Sequence, residues 1–418
     1  MNLIRGLTLF TVALAFALAA SSTRAGEVEV LHWWTSGGES KAVGVLKEEF
    51  EKTGNKWVDS PIAGGGGEAA MTVLKSRVVA GDPPTAVQLK GPAMHEWGEL
   101  GALANLNDVA KEEHWAELLP PIVNETMKYG GNYVGVPVNV HRINWMWVNP
   151  EVFRKAGVAI PSTWNDFFPA MDKLKAAGFI PIAHGGQNWQ DATVFETVVM
   201  GHGGAAFYKR AMVDLDPKAL DSPTMVEVFD IMRRLKQYID KDSPGRDWNL
   251  ATAMVMNGKA GVQFMGDWAK GEFLASKKRP GLDFICATAP GTSGTFIYNI
   301  DSFAMFKVKD KSTQDAQKTL AKLIMGPKFQ EVFNLYKGSI PARLGISREK
   351  FDSCAHDSMD AFIAASQSGT LLPSMAHDMA TTQAVKGAML DVITNHFNSN
   401  MSSKEAARRL AAGVQAAK

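Results

Sequence analysis

The stretch "HWWTSGGE" sets two indoles, Trp33 and Trp34, close to one carboxylate, Glu39, across the turn Gly37–Gly38. A flat indole matches the apolar C–H face of a pyranose and removes that face from water. A carboxylate accepts charge-assisted hydrogen bonds from neighbouring hydroxyls. An equally simple arrangement is one packed indole, one half-exposed indole, and a Glu39 that favours the positive end of a helix. These residues alone do not decide between the two. Lys90, ending "TAVQLK", offers three donors to sugar oxygens or sits solvated at a strand end. Trp268 follows Asp267 in "GVQFMGDW", and Asn299 and Asp301 stand two apart in "YNIDSF". Packing and turn capping are the ordinary uses of such residues. Lys337 in "YKGSIPAR" and His377 in "MAHDMA" carry no signal of their own.

Patterns of catalysis are missing. The chain has no GxSxG, no HExxH and no Walker loop. "GGGG" at 64–67 lies outside any phosphate-binding pattern and reads as a loop whose backbone approaches a ligand closely. No His or Cys cluster has metal-ligand spacing, and no cofactor is implied. A pair of distant acids for glycoside hydrolysis stays open, since such acids need not be near in sequence.

The elements that must position these residues alternate. "VEVLHW", "KWVDSPI" and "TAVQLK" read as strands, and "SKAVGVLKEEFEKTG", "GGEAAMTVLKSRVVAG" and "AMHEWGELG" as helices. That order predicts an α/β fold with a mostly parallel sheet flanked by helices. Ligands of such sheets bind beyond the carboxyl ends of the strands, where the Trp pair and Lys90 fall. Further strands are predicted at "YVGVPVNV", "IPIAHG", "AGVQFMGDW", "DFICATAP" and "DSFAMFKV". Helices are predicted at "VNPEVFRKAGV", opened by Pro150, and at "STWNDFFPAMDKLKAAG", capped by Ser162 or Thr163. A single core stops growing near ~250–300 residues, so 418 residues predict two lobes.

Residues 1–25 read as an export signal: Arg5, the apolar run "LTLFTVALAFALAA", then small residues, with cleavage near Ala25 or else at Ala20. Losing Arg5 and Arg24 from the 44 basic residues leaves a near-neutral chain against 43 acidic ones. Nucleic acid and charged membrane surfaces are therefore not expected partners. Cys286 and Cys354 can pair in an oxidising compartment, the alternative being two buried thiols.

"LHWWTSGGE", "GNYVGVPVNVHRINWMWVNPEVFRKAGVAIPSTWNDF", "GKAGVQFMGDW" and "KGSIPAR", behind an export signal, resemble the extracellular solute-binding proteins of ABC sugar importers. The tandem Trp, the strand-end Lys and the C-terminal His resemble the glucose/mannose-binding branch. The resemblance implies a periplasmic, monomeric, non-enzymatic clamshell. It would close on a monosaccharide, most simply glucose, and deliver it to an inner-membrane ABC permease. One lobe would combine 26–137 with 302–345, the other 138–301 with 346–418. Trp34 would stack on the pyranose, with Trp33 and Trp268 completing the walls. Glu39, Lys90, Asp301, Lys337 and His377 would bind hydroxyls, with Gln88, His141 and Asn299 as further candidates. On this reading Trp34→Ala costs binding far more than folding. Two rival readings are an oligosaccharide binder, with Trp145, Trp147, Trp189 and Trp248 lining a longer groove, and an exported glycoside hydrolase using Glu39 and Asp301.

Overall fold

A computed structural model describes residues 25–418; apart from Ala25, the expected signal peptide lies outside the described residues. Two hydrophobic cores form, one for each lobe of a two-lobe α/β fold. The first surrounds a five-stranded sheet in the order Lys56–Pro61, Glu27–His32, Ala86–Leu89, Ser302–Met305, Gly135–Pro137. The first three strands run parallel, as the alternating pattern requires. Ala86–Leu89 is buried at every position, as in a central strand covered on both faces. Helix Gly37–Glu51 turns Ala42, Leu46 and Phe50 inward, and helix Glu68–Val79 adds Ala70 and Leu74.

Ser302–Met305 runs antiparallel to both neighbours. The direction of entry explains this. Gly135–Pro137 leaves the sheet at its carboxyl end, and Ser302–Met305 comes back through the same gap. Pro137 faces Ser302 in register, and the Val138 N–H donates to the Asp301 carbonyl at 2.8 Å.

The second core holds a four-stranded sheet, Ile285–Thr288, Trp145–Val148, Ala260–Phe264, Ile180–Ile182. Only its last pairing is parallel. The pattern of a mostly parallel sheet is thus followed less closely here. Trp145–Val148 enters from the cleft side, where Ala260–Phe264 ends, and so points the opposite way. A third sheet joins the lobes: Ile340–Pro341, Asn139–Arg142, Phe296–Asn299 and Leu371–Pro373. The local signals around it are obeyed. Thr163 caps helix Trp164–Ala176 by accepting from the Asp166 N–H, and Pro150 opens helix Pro150–Ala156 behind an Asn149 cap.

Cys286 and Cys354 are joined in a disulfide. It ties an edge strand of the second sheet to helix Ser353–Ser368, whose Ala355, Phe362 and Ala365 belong to the first core. The bond spans 68 residues, including the excursion that begins at Ser302. In the chain-entropy account such a loop is worth about 4 kcal/mol. The double variant C286S/C354S is expected to lose about that much, read as a lower denaturation midpoint; an unchanged midpoint would contradict the account. Among the described residues, no helix is long and apolar enough to cross a membrane. Among them too, no group of three or more His, Cys, Asp or Glu side chains is placed to hold a metal ion.

Candidate functional site

The first strand ends at His32, and the chain turns through Trp33 to Ser36 into helix Gly37–Glu51. Trp33 and Trp34 are therefore presented at a sheet edge. The Trp33 N–H donates to Gln88 Oε1 at 3.2 Å, and the Trp34 N–H to His32 Nδ1 at 3.2 Å. Glu39 lies in the first turn of the helix. Its Oε2 accepts from the Ser36 hydroxyl at 3.1 Å, and its Oε1 accepts from Lys337 Nζ at 2.8 Å. Lys337 is the last residue of helix Pro327–Lys337, so the pair joins the positive end of one helix to the negative end of another. Lys90 lies one residue past its strand, at the N-cap position of helix Gly91–Glu99 but without a capping hydrogen bond from its side chain.

All eight residues singled out for sugar binding line one pocket: Trp33, Trp34, Glu39, Lys90, Trp268, Asp301, Lys337 and His377. None is more than 8 % exposed, so their charges act largely outside bulk water. Asn299 and His141 join the lining. Gln88 stands behind it, 3.5 Å from Asp301 Oδ1.

The two crossing strands carry the polar centre. Asp301 Oδ2 meets His141 Nε2 at 3.0 Å and accepts from Asn139 Nδ2 at 3.3 Å, while Lys90 Nζ stands 3.8 Å from Oδ1. His141 Nδ1 meets Asp267 Oδ1, and Asp267 Oδ2 accepts from the Arg142 N–H at 3.0 Å. The result is a buried chain Asp267–His141–Asp301–Lys90. Burial would push His141 down, but Asp267 and Asp301 outweigh it and hold the imidazole above its ordinary value. Burial would raise Asp301, yet His141, Lys90 and Lys337 keep it far below the usual carboxylate range. Burial pulls Lys90 below the usual lysine value against the attraction of Asp301. Burial, reinforced by Lys90, holds His377 well below its ordinary value, which leaves it a neutral donor and acceptor. Three basic side chains, Lys90, His141 and Lys337, thus face three acidic ones, Glu39, Asp267 and Asp301. One buried acceptor at the site, Asn299 Oδ1, has no partner within the protein.

The aromatic walls come from both lobes. Lys90 Nζ lies 5.1 Å over the Trp33 ring. Trp268 meets His141 edge-on at 5.2 Å and His377 at 4.9 Å. Trp34 is wedged against Phe303 and Phe333, with ring centroids at 5.5 and 5.3 Å. The four tryptophans weighed for a longer groove divide. Trp145 and Trp147 are packed in the second core, whereas Trp189 and Trp248 line the cavity. The glycine run explains itself here. A Cβ on Gly65 would lie 2.6 Å from the Trp189 ring and 3.1 Å from that of Trp248. Gly66 has φ 80° and sits as close to Trp189. Only glycine brings this loop of the first lobe onto the indoles of the second. The lobes also meet where Glu272 Oε1 accepts from the Gly38 N–H at 2.7 Å and Glu68 from Asn188 at 3.2 Å.

Asp267 was not read as a site residue from sequence, and its partnership with His141 spans 126 positions. Asn139 was also missed, although its alternation with His141 in "NVHR" puts both on one face of a strand.

Three comparisons with known proteins agree with this architecture. Residues 34–330 match the family model described as bacterial extracellular solute-binding protein. A probable sugar-binding periplasmic protein of Rhizobium meliloti (strain 1021) is 50 % identical over 98 % of both chains. A counterpart of Brucella suis biovar 1 is 50 % identical over 96 % of this chain and 95 % of that one. A chitin oligosaccharide binding protein superimposes with a TM-score of 0.79 at 18 % identity, covering 94 % of this chain and 99 % of the other.

Proposed function

Since this chain belongs to the bacterial extracellular solute-binding proteins, we propose that it binds a monosaccharide, glucose in the first instance, between its two lobes. The observation that carries this reading is the single buried cavity in which indoles from both lobes surround a charge-balanced polar centre. Paired basic and acidic side chains offer the hydroxyls of a sugar many strong donors and acceptors. Asn299 Oδ1 awaits a hydroxyl. Indole faces suit the C–H face of a pyranose. The lining side chains are nearly all buried and come from both lobes, which supports one ring over a chain of them. The glycine loop against Trp189 and Trp248 supports the same choice, by occupying space a longer ligand needs.

The periplasm is the proposed location, in keeping with the names of the relatives. There a monomer would take up sugar with its lobes apart. Contacts to both lobes favour the closed form by the difference in affinity, and the closed form would hand the sugar to an ABC permease. We assign 26–137 and 302–345 to the lobe that presents Trp33, Trp34, Glu39, Lys90 and Lys337. The other lobe, 138–301 with 346–418, brings Trp268 and His377, although helix Ser353–Ser368 packs Ala355, Phe362 and Ala365 into the first core.

Calorimetric titration with glucose, mannose, galactose and maltose tests the proposal. Micromolar or tighter binding, about 8 kcal/mol or more, is expected for at least one monosaccharide, with maltose much weaker. Absence of heat and of any melting shift with every sugar would overturn it. Tight maltose binding that displaces glucose would favour the oligosaccharide reading instead.

A further inference from the structure

Glu196 is completely buried in helix Asn188–Tyr208, within the apolar run "FETVVM". Its named hydrogen-bond partners are neutral groups. Oε1 accepts from the Ser374 hydroxyl at 2.6 Å. Oε2 accepts from the Tyr208 hydroxyl at 2.9 Å and from the backbone N–H groups of Met375 and Ala376 at 2.8 and 3.3 Å. Ser374 Oγ in turn accepts from the His377 N–H at 3.1 Å. One carboxylate therefore fixes four consecutive residues that lead into the cleft. Burial pushes its pKa up to about 7, against the hydrogen bonds that oppose the rise.

The rest of the same helix face grips the same turn. Trp189, Thr193 and Glu196 follow one another at the i, i+4, i+7 spacing of a single helical face. Thr193 Oγ1 lies 2.9 Å from His377 Nε2, and the Trp189 ring is 5.8 Å from the His377 ring. Beyond His377 the turn reaches the other lobe. Asp378 adopts φ 61°, a strained conformation for a residue other than glycine. It is held there by Lys386 and by Gln383 Nε2 at 2.7 Å. Its carbonyl lies 2.5 Å from where a Cβ on Gly91 would stand, beside Lys90.

We propose that Glu196 is a positioning residue for the ligand site: from inside the second core it fixes the 374–377 turn, and so places His377 in the cleft and Asp378 against Gly91. This rests on the reading of the cleft as a sugar site. Glu196 touches no ligand and acts through the turn. Gln can replace it, because an amide oxygen still accepts from both backbone N–H groups and the amide nitrogen can donate to Ser374 Oγ. Tyr208, 3.0 Å from the Pro373 carbonyl, keeps a partner.

The test is glucose titration of wild type, Glu196→Ala, Glu196→Gln and Ser374→Ala. The His377 ring resonance is followed in protein made with ¹³C-labelled histidine and assigned through His377→Gln. Glu196→Ala is expected to weaken glucose about 10- to 100-fold, the range for losing hydrogen bonds to a charged group, and to move the His377 resonance. Glu196→Gln is expected to stay within about 3-fold of wild type, with the resonance near its original position. Ser374→Ala should fall between. A folded Glu196→Ala that binds like wild type overturns the proposal, as does lost affinity with an unmoved resonance. If Glu196→Ala does not fold, Ser374→Ala decides: unchanged affinity and resonance overturn it. If wild type binds no glucose, the choice of glucose fails by itself, and the resonance still tests the clamp.

Discussion

Asp301→Ala is expected to abolish sugar binding and to destabilise the ligand-free protein. Asp301 is 3 % exposed and serves His141, Asn139, Lys90 and Gln88 together. Removing it leaves Lys90 and His141 buried without the carboxylate that offsets their desolvation. Breaking a buried ion pair from one side costs about 3–5 kcal/mol. It also takes away an acceptor at the centre of the cavity. Asp301→Asn separates the two effects. It keeps the shape and loses the charge, so it should fold with a smaller penalty. Its sugar affinity should still fall roughly 10- to 100-fold, since hydrogen bonds to charged groups contribute about 1.5–3 kcal/mol. Calorimetry and chemical denaturation on both variants check this. An Asp301→Asn variant that binds sugar like wild type would remove Asp301 from the site.

Trp34→Ala is expected to cost folding as well as binding, which revises the expectation drawn from sequence. The ring is 2 % exposed and wedged between Phe303 and Phe333. Truncating it opens a core cavity beside the sugar site, a change worth about 3–5 kcal/mol in well-packed interiors. Binding should be lost along with it, because the same indole lines the cleft. Trp33→Ala is the cleaner probe of stacking: its ring carries Lys90 on one face. Denaturation midpoints measured beside titrations distinguish the two. A Trp34→Ala protein with undiminished stability would show that the wedge does not contribute to the core.

The alternation of strands and helices made the first lobe legible, because each strand in turn had to end at the same edge. That placed Trp33, Trp34 and Lys90 together before any coordinates. The second lobe was less legible. One of its four strands, Trp145–Val148, enters from the cleft side, and strand direction leaves no mark on composition. Trp189 and Trp248 could not be told from Trp145 and Trp147 by sequence, since all four sit in apolar surroundings. Only tertiary packing turns one pair toward the cleft. The partnership of His141 with Asp267 spans 126 positions and has no local signature. Two signals were available nonetheless. Polar residues two apart mark both crossing segments: Asn139 with His141 on one face of strand Asn139–Arg142, and Asn299 with Asp301 where the chain leaves strand Phe296–Asn299. A lone acid inside "FETVVM" marks a buried charge that has to be accounted for.

The covalent tie between Cys286 and Cys354 has a bearing on how the protein is made. The sequence contains only these two cysteines, so one chain has a single way to oxidise. No scrambled isomer exists, and a newly exported chain needs an oxidant but no proofreading isomerase. The error left open is a bond between two chains that meet before either has folded. On the proposed export route Cys286 would cross the membrane ahead of Cys354, which lies 68 positions later, and would meet the compartment as an unpaired thiol. The yield of native protein should therefore respond to how crowded the compartment is with its own nascent copies, more than to the supply of disulfide isomerase.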